Sequence, residues 1–151
     1  MTLQREIARL NSLFIDTAPI IYYVEAHLQY GPLVKEVVES FLSESLIAYT
    51  SEVTLVEVLP KPIETGNEPL AKKFADFLRY GNNLVLLEIS ADIAVIAGKL
   101  RGRYSSLKAM DAIQIAAALV SESEAFLTND EKLKQIKDVN VLVLKDYLGA
   151  R

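Results

Sequence analysis

Apolar residues in this chain fall into short unbroken runs separated by stretches in which they recur every three or four positions. The runs at 13–17, 46–50, 84–89, 125–128 and 139–144 have the length and character of strands. Between them, helical spacing predicts helices over 18–28, 32–44, 52–59, 70–80, 91–103 and 108–121, with a short one around 131–136. Leu3, Ile7 and Leu10 share one face of a further helix over 3–10, ahead of the first strand.

Local signals punctuate the pattern. Gly31-Pro32 places a proline where a helix begins, and Ser51 and Ser90 stand where N-caps are wanted. Pro60 and Pro62 are expected to end the helix at 52–59, leaving 63–69 as a polar loop. Gly81-Asn82-Asn83 stops the helix before it. The unbroken run at 84–89 predicts a strand buried on both faces. The helix at 108–121 is apolar nearly all round and is expected to be central. Strands alternating with helices predict an α/β sandwich around a parallel sheet.

Composition narrows the function. At 151 residues with 51% hydrophobic positions, the chain suits one domain with a sizeable core, spanning 1–151. Mean hydropathy is +0.22, which excludes a disordered chain. No apolar run approaches a membrane span, and the N-terminus lacks a signal-peptide layout, so a cytoplasmic location is expected. Cysteine is absent, which removes disulfides and thiolate metal sites. A net charge of −4 argues against coating nucleic acid by bulk electrostatics. It leaves room for an acidic cleft in which a cation inverts the local charge.

Four carboxylates interrupt apolar surroundings: Asp16 after Phe14-Ile15, Glu57 between Val56 and Val58, Asp111 after Ala109-Met110, and Asp130 after Phe126-Leu127-Thr128-Asn129. Lone charges in such settings are costly unless paired or bound to a metal. Asp16 and Asp130 each end a strand, so both would line the edge of the sheet where ligands bind in open α/β folds. Each acid also has a plainer reading. Asp16 and Asp130 are good helix caps, Asp111 suits a helix N-terminal dipole, and Glu57 fits the wet face of a short helix. Glu88 ends the third strand and ranks below the four. His27, the single histidine, reads as a surface residue. No Cys/His cluster, histidine-paired serine, GxxxxGK[ST] or GxGxxG is present. A site built of carboxylates alone points to Mg2+ or Mn2+ and to hydrolysis by a metal-activated water.

Four segments resemble the PIN-domain family, particularly toxin ribonucleases of the VapC type. They are residues 14–23 (FIDTAPIIYY), 50–59 (TSEVTLVEVL), 107–116 (LKAMDAIQIA) and 126–130 (FLTND), and the likeness runs from about residue 13 to Tyr147. Residues 1–12 form an extension that family members commonly lack. The resemblance implies a three-layer α/β/α sandwich with a five-stranded parallel sheet in the order 3-2-1-4-5. It implies an acidic quartet of Asp16, Glu57, Asp111 and Asp130 holding Mg2+, with Asp16 and Asp111 as direct ligands and Thr17 and Thr128 as polar support. It implies an endoribonuclease toxin held inactive by a cognate antitoxin, which would lie against the helices at 18–28, 32–44 and 52–59, and a homodimer. A PIN-type nuclease acting in RNA processing or on structured DNA, and a non-catalytic PIN-like module, are the other readings. Arg101, Arg103 and Lys108 precede Asp111 and are candidate RNA contacts, or else a solvated helix end.

Overall fold

The structure is a computed structural model and describes residues 1–150. Five parallel strands, β1 (Ser12–Ile15), β2 (Ile47–Ser51), β3 (Leu84–Leu87), β4 (Phe126–Thr128) and β5 (Val141–Val143), form one sheet in the order β3-β2-β1-β4-β5. β1 is therefore central, and chain order reverses between it and β4. This is the expected three-layer sandwich.

Period-two alternation on β1 builds the two cores. Leu13 and Ile15 point into one, with α1 (Leu3–Ala8), α2 (Thr17–Val24), α3 (Gly31–Leu42), α4 (Glu52–Val58) and α6 (Glu68–Tyr80) around it. Phe14 points into the other, beneath α7 (Ala91–Arg103) and α8 (Ala109–Val120). Its ring stacks on that of Phe126, its register partner on β4, with centroids 5.3 Å apart. Leu13, Phe14 and Ile15 of β1 are all fully buried. Each contributes about 1.5–3 kcal/mol of burial, so the strand that leads into Asp16 is firmly anchored. The extension is part of that fold: Leu3 and Ile7 of α1 are buried in the first core.

Several expectations change. The strand predicted over 13–17 stops at Ile15, because Asp16 turns the chain and caps α2. α2 ends at Val24 rather than at 28. Beyond it, Ala26 adopts φ 51°, and His27 Nδ1 accepts the amides of Gln29 and Tyr30 at 3.2 and 3.1 Å, closing a turn at the exposed surface. Pro60 does not open a loop. It starts α5 (Pro60–Glu64), since a first-turn proline lacks only an N–H that has no partner anyway. The loop then shortens, because Asn67 caps α6 with its side chain on the Leu70 amide. The strand predicted over 84–89 ends at Leu87 and is not buried on both faces. As β3 it is the edge strand, with Val85 40% exposed. Glu88 lies beyond it, exposed and away from the reversal point. Among the described residues no helix is long and apolar enough to cross a membrane.

Candidate active site

Asp16 leaves the carboxyl end of β1 and is 8% exposed. Its Oδ1 accepts the Thr17 amide at 2.8 Å, and its Oδ2 accepts the Thr128 hydroxyl at 2.8 Å from the carboxyl end of β4. The helix-cap role and a place in the cleft thus coexist in one side chain. Burial pushes its pKa up to about 6; the two hydrogen bonds oppose that shift, and the charges of Asp111 and Glu57 add to it.

Glu57, near the end of α4, reaches back across the cleft, where its Oε1 accepts the Thr17 hydroxyl at 2.6 Å. Asp111, in the first turn of α8, is half-buried. Its pKa is raised, mainly by burial and then by Asp130 and Glu57, with Lys108 pulling the other way. Asp130 follows β4 and accepts the Lys132 amide at 3.0 Å, capping a 3-10 turn at Glu131–Gln135. Its own amide donates to Thr128 Oγ1 at 3.2 Å.

The four acids line a single cleft of about 400 Å³, together with Thr17, Ala18, Ile21, Tyr22, Thr128 and Asn129. Their oxygens are hard ligands of the kind that Mg2+ and Mn2+ take. Among the described residues no three carboxylates converge on one point as a closed metal cage would require. Each carboxylate oxygen engaged by a hydroxyl or amide nevertheless keeps a second lone pair, so the donor set still fits a hard divalent cation. Concentrated negative charge behind a buried Asp16 is the electrostatic condition that a cation relieves.

A polar bolt beneath the acids is absent from the sequence reading. Gln114 is 1% exposed. It donates Nε2 to Thr54 Oγ1 at 2.9 Å and accepts Ser51 Oγ at 2.5 Å. Thr50 spends its proton on the Ile15 carbonyl at 2.8 Å, so Thr54 donates to Thr50 at 2.8 Å. One chain of hydrogen bonds therefore links α8, α4, β2 and β1, the elements that carry Asp111, Glu57 and Asp16. Polar residues facing inward from apolar helices were the available signal. Asn129 adds a second tie, donating to the Tyr22 hydroxyl at 3.2 Å and accepting the Lys145 amide at 3.0 Å.

The three candidate RNA-binding cations separate. Arg103 pairs with Asp138 at 3.1 Å, and Arg101 Nε donates to the Leu107 carbonyl at 3.3 Å. Lys108 lines a groove that also touches Asp111 and Asp130.

The family model described as PIN domain matches residues 13–139. No curated protein matches the sequence. Among solved structures, VapBC2 from Rickettsia felis bound to a DNA fragment from their promoter is similar at 17% identity and a TM-score of 0.68, covering 87% of this chain and 98% of that one. A toxin-antitoxin complex from Klebsiella pneumoniae is similar at 21% identity and 0.66, covering 87% and 97%. VapC20 from Mycobacterium tuberculosis, a sarcin-ricin loop cleaving toxin, is similar at 17% identity and 0.66, covering 82% and 93%.

Proposed function

The chain belongs to the PIN domain family, and from that premise and the acidic cleft we propose that it is a Mg2+-dependent endoribonuclease, the toxin of a toxin–antitoxin pair. The observation that carries this reading is the meeting of Asp16, Glu57, Asp111 and Asp130 around one cleft at the carboxyl ends of β1 and β4. The assignment to RNA and to a toxin is supported by the similar structures, which are toxin–antitoxin assemblies and an RNA-cleaving toxin.

Asp16 and Asp111 would hold the cation directly, and Glu57 and Asp130 would complete the set, one through water. With a cation held there, the site would gain a water nucleophile at neutral pH and a counter-charge for the phosphate. The chain's own side chains prepare the place. Thr128 and the Thr17 amide hold both Asp16 oxygens and favour its ionised form. The Thr17 hydroxyl fixes Glu57 toward the cleft. The Gln114 bolt sets α8 against α4, and so the separation of Asp111 from Glu57.

The antitoxin would lie against α2, α3 and α4, where Leu28 in the turn between α2 and α3 is 97% exposed and Val56 on α4 is 58% exposed. A homodimer is proposed on the resemblance alone.

The test is cleavage of purified single-stranded and structured RNA with Mg2+ or EDTA, beside Asp16→Asn and Asp111→Asn. Cleavage that needs Mg2+ and disappears in both variants supports the reading; cleavage that survives both overturns it. A non-catalytic module is favoured by one observation, the lack of a converging carboxylate trio among the described residues. Calorimetry with Mn2+ separates the two, because the module takes up no cation at millimolar concentration.

A further inference from the structure

Four side chains in the lining of the acidic cleft can donate a hydrogen bond: Thr17, Tyr22, Thr128 and Asn129. No lysine or arginine is among the described residues that line it. A phosphate entering the cleft therefore depends on neutral donors for any oxygen that a cation leaves uncovered. Thr17 spends its proton on Glu57, and Thr128 spends its own on Asp16. Both of those hydroxyls are occupied by the acids themselves.

The other two donors are oriented by a third group. The Lys145 amide can only donate, so Asn129 turns its carbonyl oxygen to it, at 3.0 Å. The Asn129 amide nitrogen then faces the Tyr22 hydroxyl at 3.2 Å and donates to it. Tyr22 is the acceptor in that bond, and its own proton meets no acceptor among the described residues. The ring is held as well as the oxygen. Ala18, Ile21 and Tyr22 share one face of α2 and line the cleft together. Tyr30 stacks on the Tyr22 ring with centroids 5.0 Å apart, and His27 packs against it at 4.7 Å. The turn that brings both back onto Tyr22 is closed by the His27 amide, which donates to the Tyr22 carbonyl at 2.8 Å. The single histidine of the chain thus buttresses the cleft wall.

We propose that the Tyr22 hydroxyl donates a hydrogen bond to a non-bridging oxygen of the RNA phosphate in the cleft, and that Asn129 is the positioning residue that leaves that proton free. The inference rests on the proposed nuclease reading, which supplies the phosphate. Tyrosine suits an acid-walled cleft. A bond from its O–H to a charged phosphate oxygen is charge-assisted. Unlike a lysine, however, it forms no ion pair with the four carboxylates that would hold it away from the substrate. A contact of this kind carries no base information, so Tyr22 positions the strand without selecting its sequence.

The test is anisotropy of a fluorescent single-stranded RNA octamer in Mg2+, with Asp111→Asn on α8 as a background in which the quartet reading expects no cleavage. Tyr22→Phe is added because it keeps the ring and its stacking and removes only the hydroxyl. Tyr30→Phe, whose hydroxyl lies outside the cleft lining, is the control. Tyr22→Phe is expected to bind on the order of tenfold more weakly. The loss should be the same for an octamer of abasic nucleotides, and the salt dependence should not change, since a neutral donor releases no counterion. Calorimetry with Mn2+, on protein with Asp111 intact, should give one affinity with and without the hydroxyl, which separates a phosphate contact from a brace for the acids. Octamer binding that responds to Tyr22→Phe no more than to Tyr30→Phe overturns the contact, as does a loss confined to the octamer with bases, a matching loss of Mn2+ affinity, or no binding by the background protein at all. Cleavage assays separate this from the parent reading. With Asp111 intact, Tyr22→Phe should raise KM more than it lowers kcat. Tyr22-dependent binding without quartet-dependent cleavage removes the nuclease and keeps the phosphate contact. Quartet-dependent cleavage with binding indifferent to Tyr22→Phe does the reverse.

Discussion

Gln114 on α8 donates to Thr54 on α4 across 2.9 Å, inside a region without bulk water. The same amide accepts Ser51, so both ends of one side chain tie α8 to the segment that carries Glu57. Replacing Gln114 by Leu keeps its bulk and strands two buried hydroxyls. Thermal or urea unfolding of Gln114→Leu should show a loss of about 2–3 kcal/mol. If the bolt also sets the distance from Asp111 to Glu57, Mn2+ affinity by calorimetry should fall in the folded variant.

Asp16 should make the protein less stable as pH rises. Its folded pKa, about 6, lies above the ordinary value of 3.8, so the fold favours the protonated form. The stabilisation is complete below about pH 4 and is lost as pH climbs through 6. Asp16→Asn removes the titration while preserving a carbonyl acceptor for the Thr17 amide. Metal-free Asp16→Asn should therefore melt above the wild type at pH 8, by on the order of 3 kcal/mol, with the two converging toward pH 4.

Divalent cations should reverse that penalty. At pH 8 a saturating cation gives the ionised acids a partner. The melting temperature of the wild type should rise with Mg2+ or Mn2+, by about 2.7 kcal/mol equivalent at a hundred times the dissociation constant. EDTA should return it to the starting value. Neither Asp16→Asn nor Asp111→Asn should show the full rise in a thermal-shift assay.

Thr128 should set the acid limb of the pH–activity profile. Its hydroxyl donates to Asp16 Oδ2 and favours the carboxylate. Thr128→Ala removes that donor and moves the Asp16 pKa further up. RNA cleavage should then fall away at a higher pH than in the wild type, while Thr128→Ser, which keeps the hydroxyl, should restore the original limb.

Leu3 and Ile7 join α1 to the first core. Each substitution to Ala should cost about 2–5 kcal/mol in denaturant unfolding, as for any large buried aliphatic. Little loss in either variant would show that the extension contributes nothing to the fold.

Much of the molecule is legible along the chain. Alternation of apolar runs with helical spacing is a local property, and it located all five strands and every main helix. The single-residue punctuation at Ser51, Ser90 and Gly81 worked because caps and stops act over one turn. The fate of Pro60 was misread because proline forbids a helix interior but permits a first turn, and which of these applies depends on the backbone before it. β3 was misread for a different reason: an apolar run states what a strand is made of, and only its place at the sheet edge states how many faces are covered. The four acids stood out because a charge in an apolar run is costly. Whether each capped a helix or entered a cleft was decided by tertiary structure, and for Asp16 and Asp130 both occur. Residues 112 positions apart, such as Asp16 and Thr128, meet through the order of the parallel strands. Hydrogen bonds between them, like the Gln114 bolt, depend on distances of a few tenths of an ångström that no sequence pattern encodes.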